Sequence, residues 1–262
     1  MIRASFWGHF RKIIHSFSLS GHTKEQRKEL PQMNQKRFFI LALVLCLFSW
    51  GSVPSAQADN CPPVQYKMQR LSEGITYPVI QSGIEDQQIA DQINRVFRKH
   101  AEKVKKTDEE YKKQYEHDQL ISAAGPYYAH TLPSVLFNKE CLLSVSFVDE
   151  SYTGGAHGMH HETVYNFDTR SGRRFLLKDV IRSTHEEKLV NRYLKQQMEK
   201  LKKEGRYDFF LDAFKGVDLK KSQFAFNDHG IEIIFQEYEV APYSNGIIHL
   251  KVPYHVFVDH QQ

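Results

Sequence analysis

Cysteine is scarce in this chain, with three among 262 residues, at 46, 61 and 141. A dense disulfide framework is therefore excluded. Long apolar runs are missing as well: the longest, Phe38 to Trp50, holds 13 residues, short of the roughly 20 that a permanent membrane span needs. There is no internal repeat and no low-complexity tract. No G-x-S-x-G nucleophile elbow and no helix-borne HExxH pair occurs, which removes the usual sequence signatures of an α/β serine hydrolase and of a zinc peptidase. A basic domain is missing too. Residues 1–58 carry eight Lys/Arg against two Asp/Glu, so the excess charge of the +4 chain sits in its leader and the rest is near −2. The near-neutral remainder gives little reason to expect the Lys/Arg-rich face of a nucleic-acid footprint.

What is present begins with an export signal at 33–58. Lys36 and Arg37 form its charged region, Phe38 to Trp50 its apolar core, and Ala56-Gln57-Ala58 a small-residue cleavage site before Asp59. Cleavage near Ala58 predicts a secreted or cell-surface product; an uncleaved signal would make a single-pass membrane protein with an extracytoplasmic C-terminal domain. The polar stretch 1–32 reads as a mis-assigned start with Met33 as initiator, or as a basic extension ahead of the signal. Cys46 falls in the apolar core, which leaves Cys61 and Cys141 as a candidate disulfide in an oxidising compartment.

Downstream the hydrophobic period predicts strands at Val64–Leu71 and Ile75–Ile80, then a long helix from Ile84 carried by Ile89, Ile93, Val96, Phe97, Ala101 and Val104. Tyr127–Leu132 and Val135–Phe137 read as two short strands parted by Pro133. Leu142–Val148 and Val164–Phe167 are firmer ones, and Gly172 supplies a turn. Ser183 and Thr184, each followed three residues later by glutamate, open a second long helix, which Gly205 ends. Phe209 to Phe214 suggests a short helix, Phe224 to Tyr238 a hairpin, and Ile247–Val252 and Tyr254–Val258 final strands. The expected class is α+β, an antiparallel or mixed sheet with two long amphipathic helices on one face. A compositional shift near 120 divides the exported chain into 59–120 and 121–262.

The densest stretch is Ser151 to Phe175. His157 with His160 is a legal local metal pair that Glu162, Asp149, His229 or His249 would complete, but the flanking glycines argue against the helix that would aim both rings at one ion; no metal and no cofactor is assigned. Ser151, His157 and Asp149 supply triad residue types without an orienting motif, and the paired acids Asp149–Glu150 and Glu237–Glu239 suit a solvated strand face equally well. No catalytic residue is assigned. Gly154, Gly155 and Gly158 allow positive φ or close backbone approach, and Gly172 and Gly246 have the same structural reading. Seven tyrosines (127, 128, 152, 165, 238, 243 and 254) carry ring area with a polar tip, which suits recognition. The ligand-binding candidates are Tyr152, His157, His160 and His161 on one loop edge, with Pro242, Tyr243 and Asn245 on another.

YTGGAHG at Tyr152–Gly158, NFDTRSGRRFLLKDV at Asn166–Val180, and the run from Phe235 through APYSNG to Tyr254 resemble the DUF3298 domain of bacterial extracytoplasmic proteins. The part before it, 59–120, resembles its DUF4163 partner. The resemblance covers about residues 62–258 and implies an envelope-facing scaffold. Such domains occur in RsiV-like anti-sigma factors, which bind lysozyme, and as modules of peptidoglycan deacetylases. It therefore implies a noncatalytic binding protein for lysozyme, another envelope protein or peptidoglycan, with a membrane-anchored lysozyme sensor as the runner-up and a cell-wall hydrolase or deacetylase-related protein behind it.

Overall fold

A period of two in strands and 3.6 in helices sorts apolar residues into faces, and the architecture follows from where those faces meet. The computed structural model describes residues 61–118 and 125–257; the export signal, the stretch ahead of it and Cys46 lie outside the described residues. Asp59–Gln262 form one compact unit of the α+β class. Strands β1 (Gln65–Ser72), β2 (Ile75–Ser82), β3 (Tyr128–Lys139), β4 (Leu142–Tyr152), β5 (Met159–Asp168) and β6 (Arg174–Phe175) make a six-stranded sheet in that order, drawn from both sides of residue 120. Only β2 and β3 pair in parallel, because helix α1 (Gln87–Asp118) carries the chain back between them. Short α2 (Leu177–Val180) and long α3 (Thr184–Lys203) follow, and then β7 (Gln223–Asn227), β8 (Gly230–Phe235) and β9 (Ile248–Pro253) form a separate antiparallel sheet.

Each long helix covers one face of one sheet. On α1, Ile93, Phe97, Ala101 and Val104 recur every three or four residues and are buried with Leu143, Val145, Phe147 and Phe167 of the large sheet. Phe97 sets its ring edge-on to Phe167 at 5.8 Å, a favoured aromatic geometry. Helix α3 buries Val190, Leu194 and Met198 and contacts β9. Of its two candidate capping boxes, the one at Ser183 forms: Ser183 Oγ accepts from Glu186 N at 3.1 Å, satisfying one orphan amide of the first turn.

The even-numbered residues of β4 and β5 face away from α1, toward the small sheet. Val164 packs there on Ala225 and Ile234. The polar links between the sheets answer a backbone need. β5 meets β6 only at Asn166 and Phe167, so the amides of His160, Glu162 and Val164 have no strand beside them. Side chains take the strand's place: Glu237 accepts from His160 N at 2.9 Å, Gln236 from Glu162 N at 2.8 Å and Gln223 from Val164 N at 2.8 Å. Gln236 Nε2 also donates to Glu162 O at 3.0 Å.

The same device recurs twice. Asn138 brackets Val64 through N and O, both at 2.8 Å, and Asn94 of α1 brackets Ile80 at 2.8 and 3.3 Å. Asn94→Ala is expected to lower the unfolding free energy by about 1–3 kcal/mol, the cost of leaving partly buried backbone groups unpaired. Urea titration checks this, with a lower midpoint and an unchanged slope as the expected result.

Three local expectations are corrected. Pro133 does not divide β3, which runs through it for 12 residues. Thr131 N donates to Gly74 O on the β2 side, and Pro133, two residues on, turns its missing donor to that same side after the single bridge with β2 has ended; such a site tolerates proline. Phe209 to Phe214 forms turns rather than a helix, and Tyr254–Val256 is a 3₁₀ turn rather than a strand. Cys61 is bonded to Cys141, with 5.1 Å between Cα atoms. Cys141 lies in the two-residue β3–β4 turn, where Glu140 and Cys141 both take positive φ, 56° and 62°, as that turn type requires.

Candidate functional site

The β4–β5 loop owes its shape to its glycines. Gly154 and Gly155 take φ of 93° and 95°, and a Cβ on Gly158 would meet Ser151 O at 2.9 Å. The loop is tied by Tyr152 OH, which donates to Gly155 O at 3.1 Å, and by His157 Nδ1, which donates to Gly158 O at 2.8 Å. It turns His157 onto Tyr243, ring on ring at 3.8 Å and 17°. Tyr243 opens a 3₁₀ turn after the extended Pro242, and Gly246 closes it with φ 67°. The two loops nominated from sequence are thus in contact.

Not every nominated residue joins them. Asn245 Oδ1 accepts from Asp208 N at 2.8 Å, a brace for the loop. His161 is exposed and paired in register with Asp149 on the α1 side. Asp149 itself accepts from His100 Nε2 at 2.8 Å, and Tyr165 OH lies 3.0 Å from His100 Nδ1. Because the carboxylate accepts, Nε2 is the donor of that bond, and the ring bridges Asp149 and Tyr165. His100 is 8 % exposed, its ring tilted against Phe147 at 4.3 Å, and it anchors α1 to the sheet. His160 spends its Nδ1 on Glu237 Oε1 at 2.8 Å. Both oxygens of that carboxylate are then used, one on the ring and one on the backbone, so the turn after β8 is pinned to β5.

That turn exposes Tyr238, one of the seven tyrosines named above but not among the ligand-binding candidates on the two loops. Tyr238 has φ 64° and is 53 % exposed. A non-glycine residue in this region costs about 1–3 kcal/mol, and a half-exposed ring recovers little of it. Its ring lies 5.8 Å from Tyr243, giving a row of His157, Tyr243 and Tyr238. A second row runs along β3 and β4. Tyr128 and His130 stack at 4.6 Å, and Tyr128 and Tyr152 at 6.1 Å.

Glu150 joins the rows. It accepts from Tyr128 OH at 2.7 Å, which, ahead of burial, raises the Tyr128 phenol above its ordinary pKa. Tyr243 is raised by burial first, and then by the negative charge of Glu237, the neighbouring Tyr238 and Glu150. Farther along this face Leu132 is 70 % exposed. A cavity of about 290 Å³ beside Cys61, Gly83, Asp86 and Arg170 is remote from these rings and shares none of them. Among the described residues no group of three His, Cys, Asp or Glu is arranged to hold a metal ion.

A polar cluster also lies between the two sheets. Glu162, 4 % exposed, accepts from Ser146 Oγ at 2.5 Å and from His249 Nε2 at 2.8 Å. His249 Nδ1 lies 3.6 Å from Glu232. Burial works against the charge on His249, but the bonds to Glu162 and Glu232 outweigh it and hold the imidazole at about 9.

Comparison with known proteins finds two family models that match parts of this chain. Residues 65–160 match the family model described as deacetylase PdaC, and residues 177–255 match the DUF3298 family, a family of unknown function. No curated protein matches. A DUF3298 family member from Bacteroides fragilis superposes with a TM-score of 0.60 at 19 % identity, covering 75 % of this chain and 92 % of that one. A second from Pseudomonas aeruginosa gives 0.49 at 15 %, covering 75 % and 93 %. The chain is thus similar to the PdaC model over residues 65–160 and to the DUF3298 model over residues 177–255, and it shares the fold of a solved DUF3298 family member.

Proposed function

We propose that this is a noncatalytic recognition protein of the cell envelope, exported through the segment at 33–58, which binds an envelope protein or a peptidoglycan-associated ligand at the two ring rows. The similarity to the PdaC and DUF3298 models supports an envelope-associated role. The observation that carries the recognition reading is Tyr238, a large ring held in a strained backbone state with half its surface in water. Strain retained at an exposed aromatic residue points to use of that ring, and tyrosines dominate binding hot spots because they bring area at low entropic cost.

Immobilised wild-type protein is expected to retain lysozyme or purified muropeptides, and Tyr243→Ala to lose at least about 2 kcal/mol of that binding, as a hot spot would. Retention of neither, or equal retention by both proteins, would sink the reading. Tyr238→Gly provides the sharper case. It removes the backbone strain while adding a comparable glycine entropy cost, so its melting temperature should stay within about 2 °C of wild type while binding falls.

A further inference from the structure

The chemistry of the ring rows selects a class of ligand. On β3 the residues Tyr128, His130 and Leu132 oppose Tyr152, Glu150 and Val148 of β4, and Glu150 opposes His160 of β5. All of them therefore stand on one face. The Tyr238–Tyr243 turn rises beside them, tied to His160 by Glu237. The result is an open floor with an aromatic wall.

The polar atoms on it alternate in kind. Glu150 uses one oxygen on Tyr128; its other oxygen has no hydrogen bond among the described residues. Tyr243 OH and Tyr238 OH likewise make none there, and each both donates and accepts. Tyr128 and Tyr152 have their protons engaged and keep acceptor lone pairs. A cation offers donors alone and leaves the phenol protons unmatched. A polyhydroxylated ring offers donors and acceptors together, and apolar C–H faces to lie against aromatic rings. Hydrogen bonding points the same way: Glu237 is buried and has both oxygens engaged by His160, whereas Glu150 keeps an oxygen without a hydrogen bond among the described residues.

We infer that the two ring rows with Glu150 bind an uncharged saccharide, two to three pyranose units of a polymer lying along the open face, with Tyr238 as the stacking platform and Glu150 accepting from a sugar hydroxyl. This rests on the recognition reading above and narrows it. A polymer segment is held across a surface, and no pocket has to surround it. Affinity for a short oligomer is modest, with a dissociation constant on the order of 0.1–1 mM.

The test is amide NMR of the exported chain titrated with chitotriose to about 10 mM, with Nα-acetyl-arginine amide as the cationic comparison. Expected are saturable shifts at Tyr128, Glu150, Tyr238 and Tyr243, a weakening of about tenfold in Glu150→Gln, and loss of saturation in Tyr238→Gly, both variants keeping the wild-type melting temperature. Silence of these residues toward chitotriose overturns the inference, as does a stronger response to the arginine derivative. If lysozyme is retained through Tyr243 while chitotriose is silent, the saccharide inference fails and the recognition reading stands.

Discussion

Replacing both bridged cysteines, Cys61→Ser with Cys141→Ser, should lower the unfolding free energy by about 4 kcal/mol. The bridge closes a loop with a sequence separation of 80, and the chain-entropy estimate for such a loop is about 4–4.5 kcal/mol. At about 2–4 °C per kcal/mol for a domain of this size, the melting temperature falls by roughly 10 °C. Reduction of the native protein should reproduce the shift. The turn offers an internal control. Because Cys141 sits at positive φ, Cys61→Ser with Cys141→Gly should recover about 1 kcal/mol of the loss through relief of backbone strain. If the serine pair and the native chain melt together, the amide bracket of Asn138 on Val64 fixes the N-terminal segment by itself and the bridge adds nothing.

The second large effect belongs to His249. Its folded-state pKa of about 9 exceeds the ordinary 6.5, so its contribution is full below pH 6.5 and is lost as pH rises toward 9. The unscreened magnitude is about 3 kcal/mol; with the side chain 31 % exposed, roughly 2 kcal/mol is the expected fall in stability across that window. Urea midpoints at pH 6, 7.5 and 9 measure it. His249→Ala should abolish the slope and cost about 3–5 kcal/mol at pH 7, because Glu162 is left buried with an uncompensated charge. Adding Glu162→Gln to that variant should restore part of the loss. A slope that survives in His249→Ala would assign the titration to another group.

Much of this fold is legible in the sequence because burial has a period. The stripe from Ile93 to Val104 and the Ser183 cap are local features, readable within one or two turns of helix, and both are where the pattern puts them. Pro133 misleads because its tolerance depends on where the pairing of β2 ends, a tertiary fact. The aromatic run at Phe209 also looks helical, but Lys202 Nζ donates to Phe209 O at 2.7 Å and Phe210 N to Val240 O at 2.8 Å, bonds that compete with a helical ladder. For the site, the glycine loop and the Pro242 loop are visible as unusual composition. Their stacking is not, because His157 and Tyr243 are 86 positions apart. The period of two would have grouped Tyr128 with His130 and Leu132. Nothing local reveals that Tyr238 takes a left-handed conformation, since its flanking Glu237 and Glu239 look like an ordinary strand edge.

The side chains that stand in for a strand beside β5 also decide what happens when the small sheet lifts away. Gln223, Gln236 and Glu237 leave together, and the amides of His160, Glu162 and Val164 become an open ladder beside the newly exposed apolar Val164. Such an edge is a template for another copy of the chain. Because His249 helps to hold the small sheet down, alkaline conditions that weaken it should favour intermolecular strand pairing before global unfolding. The junction between the sheets thus guards against self-association as well as holding the fold together.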